Sequence, residues 1–264
     1  MGTEHRTLRS DMGWSDSTRI RIQGLDLMAD IMGKLDLGQF AFLEIQGRLP
    51  NEAESAVFNA MLCTLVEHGM TPMAIASRLT YLGAPESLQG AVAAGLLGVG
   101  TTFAGTAEGS ARLLHEALSG EAADLPNDEL PALATRVVAR LRDERKPIPG
   151  LGHNLHKPVD PRATRLFEIA AQHGLHGRYV KLMQHVAAAA EQALNKPGLL
   201  PVNATGALGA LACELGIPWR LCRGLAVIGR AIGLVGHIAE ELRNPLARDI
   251  WERVEEESSS HALR

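Results

Sequence analysis

Apolar residues recur every three to four positions along most of the chain, and this spacing predicts amphipathic helices from about residue 38 to about residue 257. Caps and breakers divide them. Asn51 begins a helical run, with Glu54 at the capping-box position and Gly69 as its stop. Thr71-Pro72 opens the next run, because proline suits a first helical turn. The pattern predicts an all-α protein of about ten to twelve helices.

The N-terminal segment fits this pattern least well. Residues 1–18 are polar and suggest a loosely docked arm, while residues 19–34 can begin as a strand and continue as a helix. We find no convincing strand pairing and no repeat of fixed period. The arm also lacks the apolar run of a signal peptide.

Composition supports the helical interpretation and narrows the partners. Hydrophobic residues make up 46% of the 264 positions and aromatic residues only 4%, which favours packed helices over strands. The formal net charge of −4 gives no indication of a nucleic-acid or anionic membrane partner. Since glycine and polar residues interrupt the longest apolar runs, we expect no membrane span and a cytoplasmic protein.

The three cysteines carry no recognisable chemistry. Cys63, Cys213 and Cys222 are odd in number and widely spaced, so they form neither a metal signature nor a disulfide framework. We interpret them as small apolar residues of the core and expect no metal site.

One loop concentrates groups that can do chemistry. Residues 146–162 hold His153 and Arg162 among four prolines, which fix the backbone, and two glycines, which leave N–H groups open to a ligand. Histidine can exchange or donate a proton near neutral pH, and arginine can bind a carboxylate through two parallel bonds. A rigid connector with exposed basic residues is the alternative.

Three isolated residues allow two interpretations each. His68, after an apolar helix, is either a site residue or a capping histidine. Arg230, inside an apolar helix, either faces a polar cleft or belongs to a structural ion pair, since a buried charge needs a partner. Glu108 lies among small residues that admit a ligand, but a carboxylate at a helix N-terminus is also favoured by the helix dipole.

Five segments resemble the citrate synthase superfamily and follow one another along the chain as they do in that superfamily. The closer resemblance is to its citryl-CoA lyase branch, which includes the citrate-synthase-like module of ATP-citrate lyase. PGLGHNLHKPVDPRA, from Pro149, resembles the family's PG-x-GH-x(3)-K-x(2)-DPRA segment. EHGMTPMAIASRL resembles its earlier histidine segment, and FAGTAEGSA its AGPLHGGA turn. PVNATGA resembles its NVD segment, and GRAIGLVGHIAEE its R-x(2)-G-x(3)-H-x(2)-E helix. The likeness covers about residues 40–250.

The resemblance implies a large helical domain of residues 1–108 and 221–264 and a small domain of residues 109–220 on the coenzyme A side, with a cleft between them. It also implies a homodimer or a dimer of dimers whose sites are completed across the interface. An acyl-CoA and a di- or tricarboxylate would be its ligands, with the coenzyme A thioester as substrate and no tightly bound cofactor.

Roles for individual residues follow from the same resemblance. His153 would contact the carbonyl or hydroxyl of the oxaloacetate or citryl part. The expected carboxylate-binding residues are His68, Arg162, Arg230 and Arg248, the last of them supplied across the dimer. The expected coenzyme A-binding residues are Pro149, Gly150, Leu151, Gly152, Lys157 and Lys196.

Two departures from the family pattern affect catalysis. The aspartate base of the NVD segment is replaced by Asn203, and the histidine that stabilises the enol oxygen in synthases is replaced by Glu108. An amide cannot remove a proton from acetyl-CoA. We therefore predict a citryl-CoA lyase-like enzyme in which Glu108 is the acid or base and Asn203 bonds the thioester oxygen. The same fold acting on another acyl-CoA, and a non-catalytic acyl-CoA-binding homologue, are the alternatives.

Overall fold

The structure, a computed structural model, describes residues 8–103, 105–153 and 156–262. Asn154 in the proline-rich loop and the first seven residues of the N-terminal arm lie outside this part of the chain. The described residues form eleven α-helices, so the predicted all-α class is confirmed. In chain order these are α1 (Leu37–Gln46), α2 (Glu52–Val66), α3 (Pro72–Gly83), α4 (Leu88–Leu97), α5 (Gly105–Ala117), α6 (Leu130–Asp143), α7 (Pro161–Gln172), α8 (Arg178–Leu194), α9 (Ala204–Glu214), α10 (Cys222–Glu241) and α11 (Ala247–Ser259).

The N-terminal segment is where the sequence-based prediction is wrong. Strands β1 (Gly13–Ser15), β2 (Ile20–Ile22) and β3 (Leu25–Asp26) form a small antiparallel sheet, where we expected an arm and no strand pairing. Gln23 and Gly24 join β2 to β3 with positive φ angles, as a two-residue hairpin turn requires. Strands of two or three residues are too short to give a readable alternation of apolar and polar positions.

The start of α2 follows the predicted capping box, but its end does not follow the predicted stop. Asn51 accepts a hydrogen bond from the Glu54 amide, and the Glu54 side chain accepts one from the Asn51 amide, both at 2.9 Å. The helix ends at Val66, three residues before Gly69. It ends early because the Glu67 carboxylate accepts the next two backbone N–H groups of the chain.

Glycines allow the helices around the site to approach closely. On α9, a Cβ at Gly209 would overlap Ser110 of α5. On α10, a Cβ at Gly229 would lie 2.8 Å from the Leu65 Cβ, and one at Gly233 would overlap the Val66 carbonyl oxygen. The close packing of α10 on α2 brings the polar residues of α10 to the C-terminal end of α2.

The same helix has a bearing on the membrane prediction. Among the described residues, one helix, Trp219–Glu241, is long and apolar enough to cross a bilayer by length and composition. Within the protein, 44% of its most apolar window is buried. The core helix of a soluble protein passes the same test. Polar Arg230 and His237 on this helix are both buried.

The division into two domains stays a prediction. One continuous hydrophobic cluster contains buried residues from both predicted parts, such as Phe58 of α2 and Leu211 of α9. A smaller cluster around Leu234 packs α10 on α3 and the residues that follow α4.

Candidate functional site

Two cavities lie side by side in the helical body, and Thr106 and Asn203 line both of them. The first has a volume of about 490 Å³ and the second about 700 Å³. Both volumes fall in the range of sites that take small molecules or cofactors. Together they form one elongated site with two chambers that meet at Asn203.

The sequence-predicted residues divide between the two cavities in a simple way. The first cavity is lined by six of them, namely His68, Gly152, His153, Arg162, Asn203 and Arg230. The second is lined by Pro149, Gly150 and Leu151, which precede His153 in the chain, and by Asn203. These side chains come from segments that are up to 162 residues apart, from His68 to Arg230, and the fold brings them together.

The glycines of the proline-rich loop allow it to pack against the first turn of α9. Gly150 and Gly152 have φ angles of +83° and +73°, which disfavour a side chain. The Gly152 amide donates to the Pro201 carbonyl at 2.8 Å, and the Asn203 amide donates to the Gly150 carbonyl at 3.0 Å. A Cβ at Gly150 would lie 2.6 Å from the Gly206 Cα. The loop therefore lies against α9, with His153 at the edge of the first cavity.

A buried carboxylate fixes Arg162. Asp160, fully buried, accepts from Arg162 Nε at 3.0 Å and from its Nη2 at 2.8 Å, and it also accepts from the Ala204 amide. Burial acts to raise the pKa of Asp160, but these hydrogen bonds outweigh it and hold that pKa below its usual range. Because Asp160 occupies Nε and Nη2, Arg162 presents Nη1 to the cavity that it lines.

The protonation of His153 follows from its neighbours. Its Nδ1 accepts from the His156 amide at 3.1 Å, and the two imidazole rings stack 4.4 Å apart. The neutral ring therefore carries its proton on Nε2. Partial burial, and then the positive charge of Arg162, lowers the pKa of His153 below its usual value of 6.5. At neutral pH, His153 is an uncharged hydrogen-bond donor.

Arg230 is the most unusual residue of the first cavity. It is 9% exposed, and its buried Nη1 has no hydrogen-bond partner among the residues that the structure describes. Burial lowers the pKa of Arg230, although the charge of Glu67 opposes this, and a guanidinium stays protonated in a protein. A buried, incompletely bonded cation is costly unless a ligand supplies the missing acceptor.

Asn203 is the N-cap of α9 and also the wall between the cavities. Its Oδ1 accepts from the amides of Thr205 and Gly206 and from the Thr205 hydroxyl. Its Nδ2 donates to the Gly152 carbonyl at 2.7 Å. An amide nitrogen carries two hydrogens, so one N–H of Asn203 remains for a ligand.

Four predicted residues line neither cavity. Glu108 forms an ion pair with Arg223 of α10 at 2.9 Å. It is three positions after Gly105 and four before Arg112 on α5, both of which line the second cavity, so its pair with Arg223 lies beside that cavity without being part of its lining. Lys157 and Lys196 are exposed, and Arg248 pairs with Glu252 on the exposed face of α11 at 3.5 Å. The proposed roles of these four residues stay predictions.

The second cavity contains basic residues that sequence reasoning did not assign. Arg112, Arg140 and Lys146 line it together with the backbone of Pro149 to Leu151. The cluster of arginines at 136–145 was the available signal, since such a cluster can bind a small anion, but periodicity alone did not say which of its members would face a cavity. Arg112 and Lys146 are offset by ion pairs to Glu116 and Glu144, both at 2.7 Å.

The charges of the first cavity determine the ligand it can hold. Arg162 and Arg230 supply two cations, and His68 and His153 supply further hydrogen-bonding nitrogens. None of the described residues that line this cavity is acidic. Its chemistry suits a small molecule with several carboxylates, and the basic residues beside the second cavity suit a phosphorylated one.

Comparison with known proteins identifies relatives of this chain. The family described as citrate synthase, C-terminal domain, matches residues 18–252. The structure of citryl-CoA lyase from Hydrogenobacter thermophilus is 34% identical, with a TM-score of 0.81 over 90% of this chain and 88% of that one. ATP citrate lyase from Methanothrix soehngenii, in complex with citrate and coenzyme A, shares the fold at 21% identity, with a TM-score of 0.73 over 91% of this chain and 39% of that one.

A curated relative gives the same result at the level of sequence. The probable ATP-citrate synthase of Dictyostelium discoideum is 25% identical over 233 residues, which cover 82% of this chain and 34% of the relative. The chain thus spans about a third of the length of the curated relatives it matches.

Proposed function

Because the chain belongs to the citrate synthase family, we propose that it makes or cleaves the carbon–carbon bond beside the thioester of a 3-hydroxyacyl-CoA, and that its substrate is citryl-CoA. The products of cleavage would be acetyl-CoA and oxaloacetate. The observation that carries this proposal is Arg230, a buried cation whose Nη1 has no acceptor among the described residues and which lines a cavity together with Arg162, His68 and His153.

The first cavity would hold the carboxylates of the citryl part. A carboxylate placed against Arg230 would supply the acceptor that Nη1 lacks, and one against Arg162 would take its remaining Nη1 hydrogens. Charged hydrogen bonds of this kind are about twice as strong as neutral ones. His68, which also lines the cavity, would add a third contact.

The second cavity would hold coenzyme A. The backbone from Pro149 to Leu151 would lie along the pantetheine chain, and Arg140 with Lys146 would stand near its phosphates. The two cavities meet at Asn203, so the thioester would lie there, at the junction of the acyl and coenzyme A parts.

The polar groups at that junction suit a retro-aldol cleavage. The bond between C2 and C3 breaks, the C3 hydroxyl becomes the ketone of oxaloacetate, and the bonding electrons form the enolate of acetyl-CoA. The hydroxyl gives up a proton and the enolate carbon gains one. The Nε2–H of His153 would bond the C3 oxygen, and the remaining N–H of Asn203 would stabilise the enolate oxygen.

Glu108 is the proposed acid or base. Glu108 could act only after its carboxylate leaves Arg223 and turns from α10 toward the junction. A loss of turnover in Glu108→Gln that Arg223→Met does not share would support its catalytic role. Equal, small effects in the two variants would make the pair structural.

A binding role without turnover is the second candidate, and Asn203 favours it. An amide stands where the family resemblance expects a carboxylate base, and both ends of this amide already bond the backbone. Such a protein would bind an acyl-CoA and a carboxylate and leave the thioester intact. Turnover of another acyl-CoA is a third outcome that the same assay detects.

The test is a panel of CoA thioesters with mass detection, including citryl-CoA, alongside calorimetry with citrate and with coenzyme A. We expect citryl-CoA to give acetyl-CoA and oxaloacetate, and Arg162→Ala to abolish this. Arg165→Ala is the matched control, because Arg165 lies one turn along α7, exposed and paired with Glu168. Binding of both ligands without turnover would favour the second candidate, and no binding would overturn both.

The wider biology follows the same proposal. We propose a homodimer or a dimer of dimers in the cytoplasm that uses its coenzyme A thioester as substrate and needs no tightly bound cofactor. Arg248 would act across the dimer interface. Light scattering, and activity in mixtures of Arg230→Met and Arg248→Ala protomers, test the oligomer and the shared site together.

A further inference from the structure

A buried polar chain runs through the helices behind the first cavity, and His237 of α10 is its centre. His237 is 7% exposed. Its Nδ1 lies 3.3 Å from Arg78 Nε and 3.0 Å from Arg78 Nη2. A guanidinium offers only donors, so Nδ1 must be an acceptor and the ring proton must lie on Nε2.

The other side of His237 contacts Glu67. His237 Nε2 lies 3.1 Å from the Glu67 carboxylate and donates its proton there. The same carboxylate accepts from the His68 amide at 2.8 Å and from the Gly69 amide. The polar chain thus ends on the two backbone amides of the turn that carries His68 into the cavity.

Arg78 anchors the far end of the polar chain. It is fully buried, it bonds Glu241 at 2.6 Å, and it also bonds Glu240. Glu241 in turn accepts from the Leu246 and Ala247 amides at the start of α11. Every side chain from Glu241 to Glu67 is therefore held by at least two partners, and the imidazole of His237 has one permitted orientation.

From this geometry we propose that Glu67 and His237 are positioning residues that fix the 67–69 turn, so that His68 is aimed at the carboxylate-binding cavity. Gly69 has a φ of +72°, which gives the turn a sharp reversal that the Glu67 carboxylate stabilises from one side. Glu67 itself is 47% exposed, so it adds little to core packing, and its bonds act mainly on the turn that follows it. The ligand side of this inference rests on the proposed function, whereas the ordering of the turn does not.

The test compares two substitutions of His237. Gln can place its Oε1 against Arg78 and its Nε2–H against Glu67, as the imidazole does, whereas Leu can do neither. We expect His237→Leu to speed hydrogen exchange at the His68 and Gly69 amides, and to raise the citrate Kd and the citryl-CoA KM by about 3- to 10-fold, as the loss of one hydrogen bond would. The kcat and the coenzyme A Kd should change little, and His237→Gln should recover most of the loss.

Two further variants keep the inference falsifiable. Glu67→Gln alters an exposed residue and creates no buried cavity, so the variant remains folded. It should show the same faster hydrogen exchange at the His68 and Gly69 amides as His237→Leu. Glu214→Gln is the matched control, because Glu214 also accepts two backbone amides, those of Tyr179 and Val180, but lines neither cavity. It should leave the citrate Kd and the exchange at the His68 and Gly69 amides unchanged.

The outcomes separate the two proposals. Unchanged exchange at the two amides in both His237→Leu and Glu67→Gln would overturn the positioning role. Faster exchange in a protein whose wild type binds no citrate would support the positioning of the turn and overturn the proposed function. In a double-mutant cycle, His68→Ala should remove any further effect of His237→Leu on the citrate Kd, and additive losses would contradict an action through His68.

Discussion

Two buried arginines should respond to the same substitution with opposite signs. Arg230 is 9% exposed, and its Nη1 lacks a partner among the described residues, whereas Arg78 is fully buried and bonded to Glu240, Glu241 and His237. Methionine is apolar and fills a comparable elongated space. Arg230→Met removes a buried N–H group that has no acceptor among the described residues. Arg78→Met instead leaves the buried Glu241 carboxylate and His237 Nδ1 without their donor.

The magnitudes follow from these contacts. An unsatisfied buried polar group costs about 1–3 kcal/mol, so Arg230→Met should raise the free energy of unfolding of the ligand-free protein by up to that amount. Breaking a buried ion pair costs about 3–5 kcal/mol, which is the expected loss for Arg78→Met. For a chain of this size, each kcal/mol moves the Tm by about 2–4 °C.

Citrate should reverse the order of melting temperatures of wild type and Arg230→Met. Loss of a buried charged hydrogen bond costs a ligand about 2–5 kcal/mol, or about 30-fold and more in Kd. At a citrate concentration of about 100 Kd, wild type gains about 2.7 kcal/mol, and Arg230→Met with its weaker binding should gain about 0.9 kcal/mol or less. The variant should therefore melt above wild type without citrate and, where its ligand-free advantage is below about 2 kcal/mol, below wild type with citrate.

Thermal melts at fixed protein concentration, with and without citrate, check this crossover. The reasoning would be refuted if Arg230→Met melted below wild type without ligand, because Arg230 would then already be paired in the free protein. A melting order that ignored citrate would remove Arg230 from the carboxylate site.

Three other predictions test the packing, the junction and the acid response. Gly233→Ala should lower the free energy of unfolding by about 1–3 kcal/mol, because the new Cβ forces α10 away from α2. Gly236→Ala, with open space around the new Cβ, should raise it by about 0.4–1 kcal/mol. Denaturant titrations measure both, and equal effects would contradict the close approach of the two helices. Asn203→Asp should introduce a base that exchanges the methyl hydrogens of acetyl-CoA for deuterium in D₂O, which NMR detects. The variant should lose about 1 kcal/mol of stability with the bond to the Gly152 carbonyl. An absence of exchange would show that the site lacks more than a base. The lowered pKa of Asp160 contributes stability that is complete above its unfolded value of 3.8 and is lost as the pH falls toward the lower folded value. Asp160→Asn should therefore flatten the acid limb of stability below about pH 4, and an unchanged limb would assign that limb to other carboxylates.

Helix starts were predictable from the sequence because they depend on local chemistry. The Asn51 capping box and Thr71-Pro72 act within one turn, so the residues that form them are adjacent in the chain. The early end of α2 was not predictable, because Glu67 takes over the next amides while held by His237, 170 residues away. The hairpin at Gln23-Gly24 was missed because its strands are too short for a pattern.

The site was predictable where a residue and its function share one loop. His153 and Arg162 stood out because prolines and glycines surround them, and both line the first cavity. Glu108 also stood out, but its direction depends on the rotation of α5 against α10, where Arg223 pairs with it. Asp160 was overlooked as a residue in its own right, since no local signal says that a carboxylate will be fully buried behind an arginine.

The wall shared by the two cavities has a consequence for inhibitor design. Since Thr106 and Asn203 line both chambers, a ligand that fills one ends where a ligand in the other begins. Joining a polycarboxylate to a coenzyme A-like arm by a short linker would turn the second binding event into an intramolecular one. Short flexible linkers give effective concentrations in the millimolar range, so a tethered compound could exceed either half in avidity by about 10²- to 10⁴-fold without a new protein contact. Asn203 thus marks the point where the linker of such a bisubstrate compound should lie.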